Sequence, residues 1–296
     1  MISTTDVLLL FMAIIWGTNF AAVKRALSEM LPLTFNALRF SLASIFLFLA
    51  MILSEGKFLL DKKDFKGIFL LGLIGHTCYQ FLFIYGIART SASVSSLMLA
   101  TSPVFVAVLS LLAQQERPSA KLLFGVSLSL TGVFVLMLGS PSGFMSAERD
   151  ALGAVLVLIG AICWATYTVF SKPYLTRYSP LRLTTITMVF GTLVLDVLAI
   201  PSLLAQRWGE ISLVGWTGLT YSFGLAIVFG YVVWDIGIDR VGPGRTAVYQ
   251  NLIPVIAAII SYVLLGEALG GLQICGAGMV LLGIYVTRKT QFGPAN

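Results

Sequence analysis

The sequence is poor in charge and nearly without histidine. Only 11% of its 296 residues are Asp, Glu, Lys or Arg, against about 25% in an average soluble domain. A single histidine, His76, removes most zinc and histidine-triad chemistry at once. The three cysteines, Cys78, Cys163 and Cys275, each lie inside an apolar run. They have neither metal-ligand spacing nor the even count of a disulfide framework, so they read as small packing residues. Long polar stretches are scarce as well. No loop gathers the paired acids or the Ser/His/Asp set that a membrane enzyme needs. Neither enzyme activity, a metal nor a cofactor is expected.

What the chain has is apolar surface, on 58% of its residues. A soluble core of this length could not hide so much and keep a wetted exterior, so lipid is the solvent for a large part of it. The net charge of +6 does not point to nucleic acid, because the basic residues fall in short gaps between apolar runs. A bilayer core takes about 20 mostly apolar residues per helix. Such runs occur at 6–23, 34–53, 67–87, 93–113 and 121–139, then at 151–170, 182–201, 214–235, 246–265 and 271–287. With the N-terminus in the cytoplasm, thirteen Lys and Arg fall on that side of the spans and five on the other. That bias is the one cytoplasmic loops carry, and it predicts both termini inside. The first run opens on Asp6 rather than a basic stretch, so it reads as a retained helix and not as a secretory leader.

The chain also repeats itself. Trp16 pairs with Trp164, Thr18 with Thr166, Lys24 with Lys172 and Pro32 with Pro180, all at an offset of 148. Further on the offset becomes 151: Gly86-Ile87-Ala88-Arg89 matches Gly237-Ile238-Asp239-Arg240, Pro103 matches Pro254, and Glu116 matches Glu267. Gly125 and Gly132 fall on Gly276 and Gly283. The expected architecture is an all-α integral membrane protein of ten transmembrane helices, built as two five-helix repeats, residues 1–145 and 146–296. Five is odd, so the second repeat enters the membrane from the opposite side. Inverted repeats around a central cavity are a recurrent design of secondary transporters, in which exchanging the halves' conformations opens the cavity to alternate faces. The plainer reading is a duplication that merely enlarged a membrane scaffold.

Ile15-Trp16-Gly17 in the first span, Leu38-Arg39-Phe40 in the second, and the Pro103 and Glu116 region with its echo at Pro254 and Glu267 carry a resemblance. Over essentially its whole length the chain resembles the EamA-type branch of the drug/metabolite transporter superfamily. That resemblance implies a cavity lined mainly by helices 1, 3, 4, 6, 8 and 9, with helices 5 and 10 peripheral and available for dimer contacts. It also implies outward movement of solutes across a bacterial inner membrane, in some members with proton exchange. Amino acids, other metabolites and drugs all remain open as substrates.

Polar groups in lipid-embedded helices are costly unless they face protein or water, which makes each a candidate. On helix 3, His76, Tyr79, Gln80 and Phe83 share one face at three- and four-residue spacing. Tyr231 and Trp234 stand at the equivalent places on helix 8. Trp16 and Asn19 on helix 1, with Trp164 and Tyr167 on helix 6, form an i, i+3 pair in each half. Thr101 and Ser102 precede Pro103, and Tyr249, Gln250 and Asn251 precede Pro254. Aromatic walls with amides and hydroxyls suit amphipathic solutes, amino acids above all. Each Trp and Tyr ring is equally a packing or interfacial residue; for Asn19, Gln80 and Gln250 the rival is an interhelical hydrogen bond, with the cavity favoured because they sit on facing helices. The two prolines free backbone carbonyls and read as hinges.

Asp235 is read either as a site for a substrate amine or a coupling proton, or as the partner of Arg240 or Arg245. His76, whose side chain has an unperturbed pKa near neutrality, reads first as a hydrogen-bonded packing residue, with a proton relay or coupling site as the rival. Arg39 is either a structural anchor or the receptor for an anionic substrate group. The expectation is alternating-access export of small amphipathic metabolites by a lipid-embedded monomer or homodimer. The rivals are efflux of cationic drugs, nutrient uptake, and a receptor or scaffold that moves nothing.

Overall fold

The computed structural model describes residues 3–56, 60–90, 92–115, 119–138, 149–265 and 270–288. Among them all regular secondary structure is helical, and the helices fall on all ten expected spans. In the first half these are α1 (Thr4–Ala26), α2 (Pro32–Glu55), α3 (Phe65–Arg89), α4 in two pieces (Ala92–Leu99 and Ser102–Leu112) and α5 (Ala120–Leu138). The second half has α6 (Arg149–Leu175), α7 (Pro180–Ala205) and α8 (Leu213–Val241). It closes with α9, from Pro243–Val248 through a tight turn to Leu252–Leu265, and α10 (Gly271–Arg288). Six helices, α1–α3 and α6–α8, are long and apolar enough to cross a bilayer unbroken. Their outward faces carry exposed apolar side chains such as Phe46, Leu53 and Val197, as lipid contact requires.

Local chemistry sets the helix ends. Ser3 caps α1 in a reciprocal box with Asp6, its hydroxyl accepting from the Asp6 amide while the Asp6 carboxylate accepts from the Ser3 amide. Proline opens α2, α7 and α9, where its missing N–H costs nothing. At the far end of α3, Lys24 Nζ donates to the carbonyls of Ile87 and Thr90 at 2.7 and 2.6 Å. Lys172 does the same for α8, to Ile238 and Asp239 at 3.1 and 2.7 Å. A cation at a helix C-terminus meets both its free carbonyls and its dipole. The pairing of Lys24 with Lys172 in the sequence is therefore one capping device used twice.

Contacts across the halves establish their opposite direction. Along α2, Thr34, Ser41, Ser44 and Glu55 meet Ser202, Asp196, Thr192 and Arg182 of α7 in turn. One number rises as the other falls, so these equivalent helices are antiparallel. The same holds for α5 and α10. There Gly125 lies against the carbonyl of Gly283 and Gly132 against that of Gly276, approaches that only glycine permits. The protein is a ten-helix membrane bundle of two inverted five-helix repeats. Pairs of equivalent residues touch one another across it, among them Ser44 with Thr192, Gln80 with Tyr231, and Trp16 with Trp164. The pseudo-twofold axis passes through these pairs. The peripheral α5 and α10 pack on each other within one chain, while Phe124, Phe134 and Tyr285 still face outward.

One feature of α3 and α8 left no trace in the residue pattern. Each helix widens to π-helical geometry near its middle, over Leu73–Cys78 and Ser222–Phe229. The two segments end at equivalent positions, Cys78 and Phe229. Such bulges loosen the hydrogen-bond ladder and leave carbonyls for other partners.

Candidate functional site

Between the halves lies a narrow cavity with room for about 50 Å³ of solvent, enough for a few waters. Its walls are Trp16, Phe20, Tyr79, Phe83, Trp164 and Tyr231, and its polar groups come from Asn19, Arg39, Gln80 and Gln250. Nine of the residues singled out from the sequence thus converge on one space. The small volume has a consequence. A solute of amino-acid size exceeds that room.

Arg39 is 2% exposed, seven residues into α2. Its Nε donates to Asn36 Oδ1 at 2.8 Å, and its terminal nitrogens to Ser222 Oγ at 3.0 Å and Gln80 Oε1 at 2.6 Å. These acceptors are themselves fixed. Gln80 donates to the Tyr231 hydroxyl at 2.6 Å, and Asn36 donates to the Gln80 carbonyl at 2.9 Å. Every recorded partner is neutral. A guanidinium without a carboxylate is expensive at membrane depth, and none of the cavity's lining residues is acidic.

Behind the cavity stands a layer of indoles. Trp16, Trp164 and Trp234 lie with ring centroids 5.2 to 5.8 Å apart. Trp16 Nε1 donates to the Ala226 carbonyl in the π-helical segment of α8, at 2.8 Å. Trp234 Nε1 donates to Thr168 Oγ1 at 3.1 Å. The cavity occupies the side toward Lys24 and Thr90. On the other side Asp235, fully buried, accepts from Tyr167 at 2.8 Å and Thr184 at 2.6 Å, while its Oδ1 has no partner. The carboxylate is thus held by hydroxyls. His76 sits in this buried layer too, its Nε2 3.0 Å from Thr187 Oγ1 and its ring against those of Tyr167 and Tyr231.

The remaining candidates lie elsewhere. Tyr249 donates to Asp6 at 2.6 Å, and Asn251 donates to Ser129 on α5. Thr101 bonds the carbonyl of Met98, and Ser102 is buried beside Pro103 where α4 divides. Pro254 follows the tight turn at Tyr249–Asn251 that interrupts α9. Glu116 and Glu267 lie outside the described residues. Asn36, three residues before Arg39 and so on the same helix face, was within reach of the sequence pattern. The backbone groups of Ala226 and Ile227 at the cavity wall were not, since the π-helical turn that presents them has no residue signature.

Residues 3–138 and 151–288 each match the EamA-like transporter family. The chain belongs to that family. Among similar EamA proteins is an uncharacterized transporter of Archaeoglobus fulgidus, 29% identical over 92% of this chain and 94% of the relative. Two probable amino-acid metabolite efflux pumps, of Salmonella typhimurium and Escherichia coli, are each 30% identical. They align with 94% and 95% of this chain and with 93% of their own lengths. A crystal structure with 19% identity superposes at a TM-score of 0.78 over 94% of both chains, which establishes the fold alone. This EamA protein is therefore a multi-pass membrane transporter for small molecules and not an enzyme.

Proposed function

We propose that the protein exports small amphipathic metabolites, amino acids foremost, by alternating access between its two inverted halves. The observation that carries this reading is the cavity on the pseudo-twofold axis. It combines aromatic walls with one unneutralised cation and unpaired amide oxygens, and no acid. Such a lining favours a solute with an apolar body and an anionic group over a simple cation, which speaks against cationic drugs. The printed names of the two relatives at 30% identity agree with the solute class. Export with both termini in the cytoplasm of an inner (plasma) membrane accords with the basic residues of the linking segments. A cytoplasm-dependent reporter should be active when fused at either end; activity at one end alone would refute that topology. Proteoliposome accumulation assays with amino acids and cationic dyes test the solute class. Saturable amino-acid flux is expected; carriage of dyes without amino acids would overturn it.

A further inference from the structure

The Arg39 guanidinium has five N–H groups, of which three meet neutral acceptors in the protein. The other two have no oxygen acceptor among the described residues, and the guanidinium, packed over the Phe35 and Phe40 rings, belongs to a side chain that borders the cavity. The amide orientations follow from the network. Gln80 spends its NH₂ on Tyr231, and Asn36 spends its own on a backbone carbonyl, so both turn oxygen toward the arginine. The guanidinium is thereby held in place before any ligand arrives, which lowers the cost of binding a planar, bidentate partner. Elsewhere in the lining, Asn19 Oδ1 and Gln250 Oε1 are buried acceptors without a donor. Buried polar groups are seldom left without a partner, so these two oxygens are free to accept from a ligand's N–H groups.

Resting on the reading of this cavity as the solute site, we infer that Arg39 binds the carboxylate of the transported solute and that Asn19 and Gln250 accept from its ammonium group. The aromatic rings then take an apolar side chain between the two charges. The site is built for zwitterions, specifically α-amino acids with apolar side chains. A free cation finds no counter-charge in the lining, and a simple carboxylic acid leaves the two amide oxygens unpaired.

The test compares ligands on the wild-type protein before any substitution is made. L-phenylalanine, its carboxamide and 3-phenylpropionic acid are titrated against purified protein by thermal shift and by competition with labelled phenylalanine. The carboxamide, lacking the carboxylate, should bind more weakly by about tenfold or more, and the amine-free acid should be weakened as well. In Arg39→Gln the preference for phenylalanine over its carboxamide should vanish, and Arg39→Lys should restore part of it. If Arg39→Gln does not elute as a monodisperse species, the wild-type series decides alone. Equal wild-type affinity for phenylalanine and its carboxamide would overturn the Arg39 assignment while leaving amino-acid transport standing. Failure of the folded protein to bind any amino acid would overturn both readings.

Discussion

Trp16 and Trp164 occupy equivalent positions in the two repeats, yet only one indole is hydrogen-bonded. Trp16 Nε1 donates to the Ala226 carbonyl at 2.8 Å, whereas the buried Trp164 Nε1 has no acceptor among the described residues. The counterpart of Ala226 is Gly75, in the other π-helical segment. The two halves thus differ by one bond at the axis, as they must if the structure is one of two exchangeable states. Trp16→Phe should therefore lower thermal stability, by about 0.6 to 1.7 kcal/mol, the range of hydrogen bonds in membrane bundles. Trp164→Phe removes an unpaired donor and should cost less. Melting of both variants in detergent checks this, and equal losses would contradict the asymmetry.

Packing of α5 on α10 gives a second prediction. A Cβ on Gly276 would fall on the Leu136 backbone and the Gly132 carbonyl, while one on Gly278 meets nothing within 4 Å. Gly276→Ala should destabilise by about 1 to 3 kcal/mol through forced helix separation. Gly278→Ala, two residues away, should be neutral or stabilising by up to about 1 kcal/mol from helix propensity. Similar melting temperatures for the pair would show that the close crossing is absent in solution.

Asp235 supplies a third. Its carboxylate is enclosed by the Tyr167 and Thr184 hydroxyls and bears one oxygen without a partner, an arrangement suited to taking up a proton. We propose it as the coupling site. Asp235→Asn keeps an acceptor for both hydroxyls but cannot ionise. The variant should lose accumulation driven by a pH gradient and retain counterflow. Unchanged pH-driven accumulation would remove Asp235 from the coupling path.

At the end of the bundle near Lys24, Glu29 accepts from the Ser212 amide at 2.8 Å and from its hydroxyl at 3.0 Å. The Ser212 amide is the main influence holding the Glu29 carboxyl below its ordinary range, assisted by the Ser212 hydroxyl and the charge of Arg25. A carboxyl whose value is lower in the folded state stabilises the fold above its unfolded value, about 4.3. That contribution disappears as pH falls through the lowered folded value. Melting temperature followed downward from pH 6 should drop more in wild type than in Glu29→Gln. Parallel curves would indicate that this tether between α1 and α8 contributes nothing.

Much of this structure was legible in the residues. The ten spans, the duplication and the aromatic face of α3 opposite α8 follow from apolar run length and from residues rare in apolar sequence, Trp16, Pro103 and their counterparts among them. Other features were hidden for physical reasons. π-helical turns depend on tertiary strain and have no composition of their own. The partners of Arg39 and Asp235 come from Ser222 and Thr184, hydroxyls indistinguishable in sequence from the many that bond their own helix. Spacing placed His76 with Tyr79 and Gln80; His76 lies within the widened turn at Leu73–Cys78, with Nε2 3.0 Å from Thr187 Oγ1, and is not among the cavity's lining residues.

Passage of an amino-acid-like solute through the cavity between two inverted halves has a direct signature. Counterflow in proteoliposomes tests it most directly, with unlabelled L-phenylalanine inside and labelled L-phenylalanine outside. Saturable uptake with a transient overshoot is expected, lost in empty vesicles and strongly reduced in Arg39→Gln. Uptake that neither saturates nor depends on internal phenylalanine would contradict it.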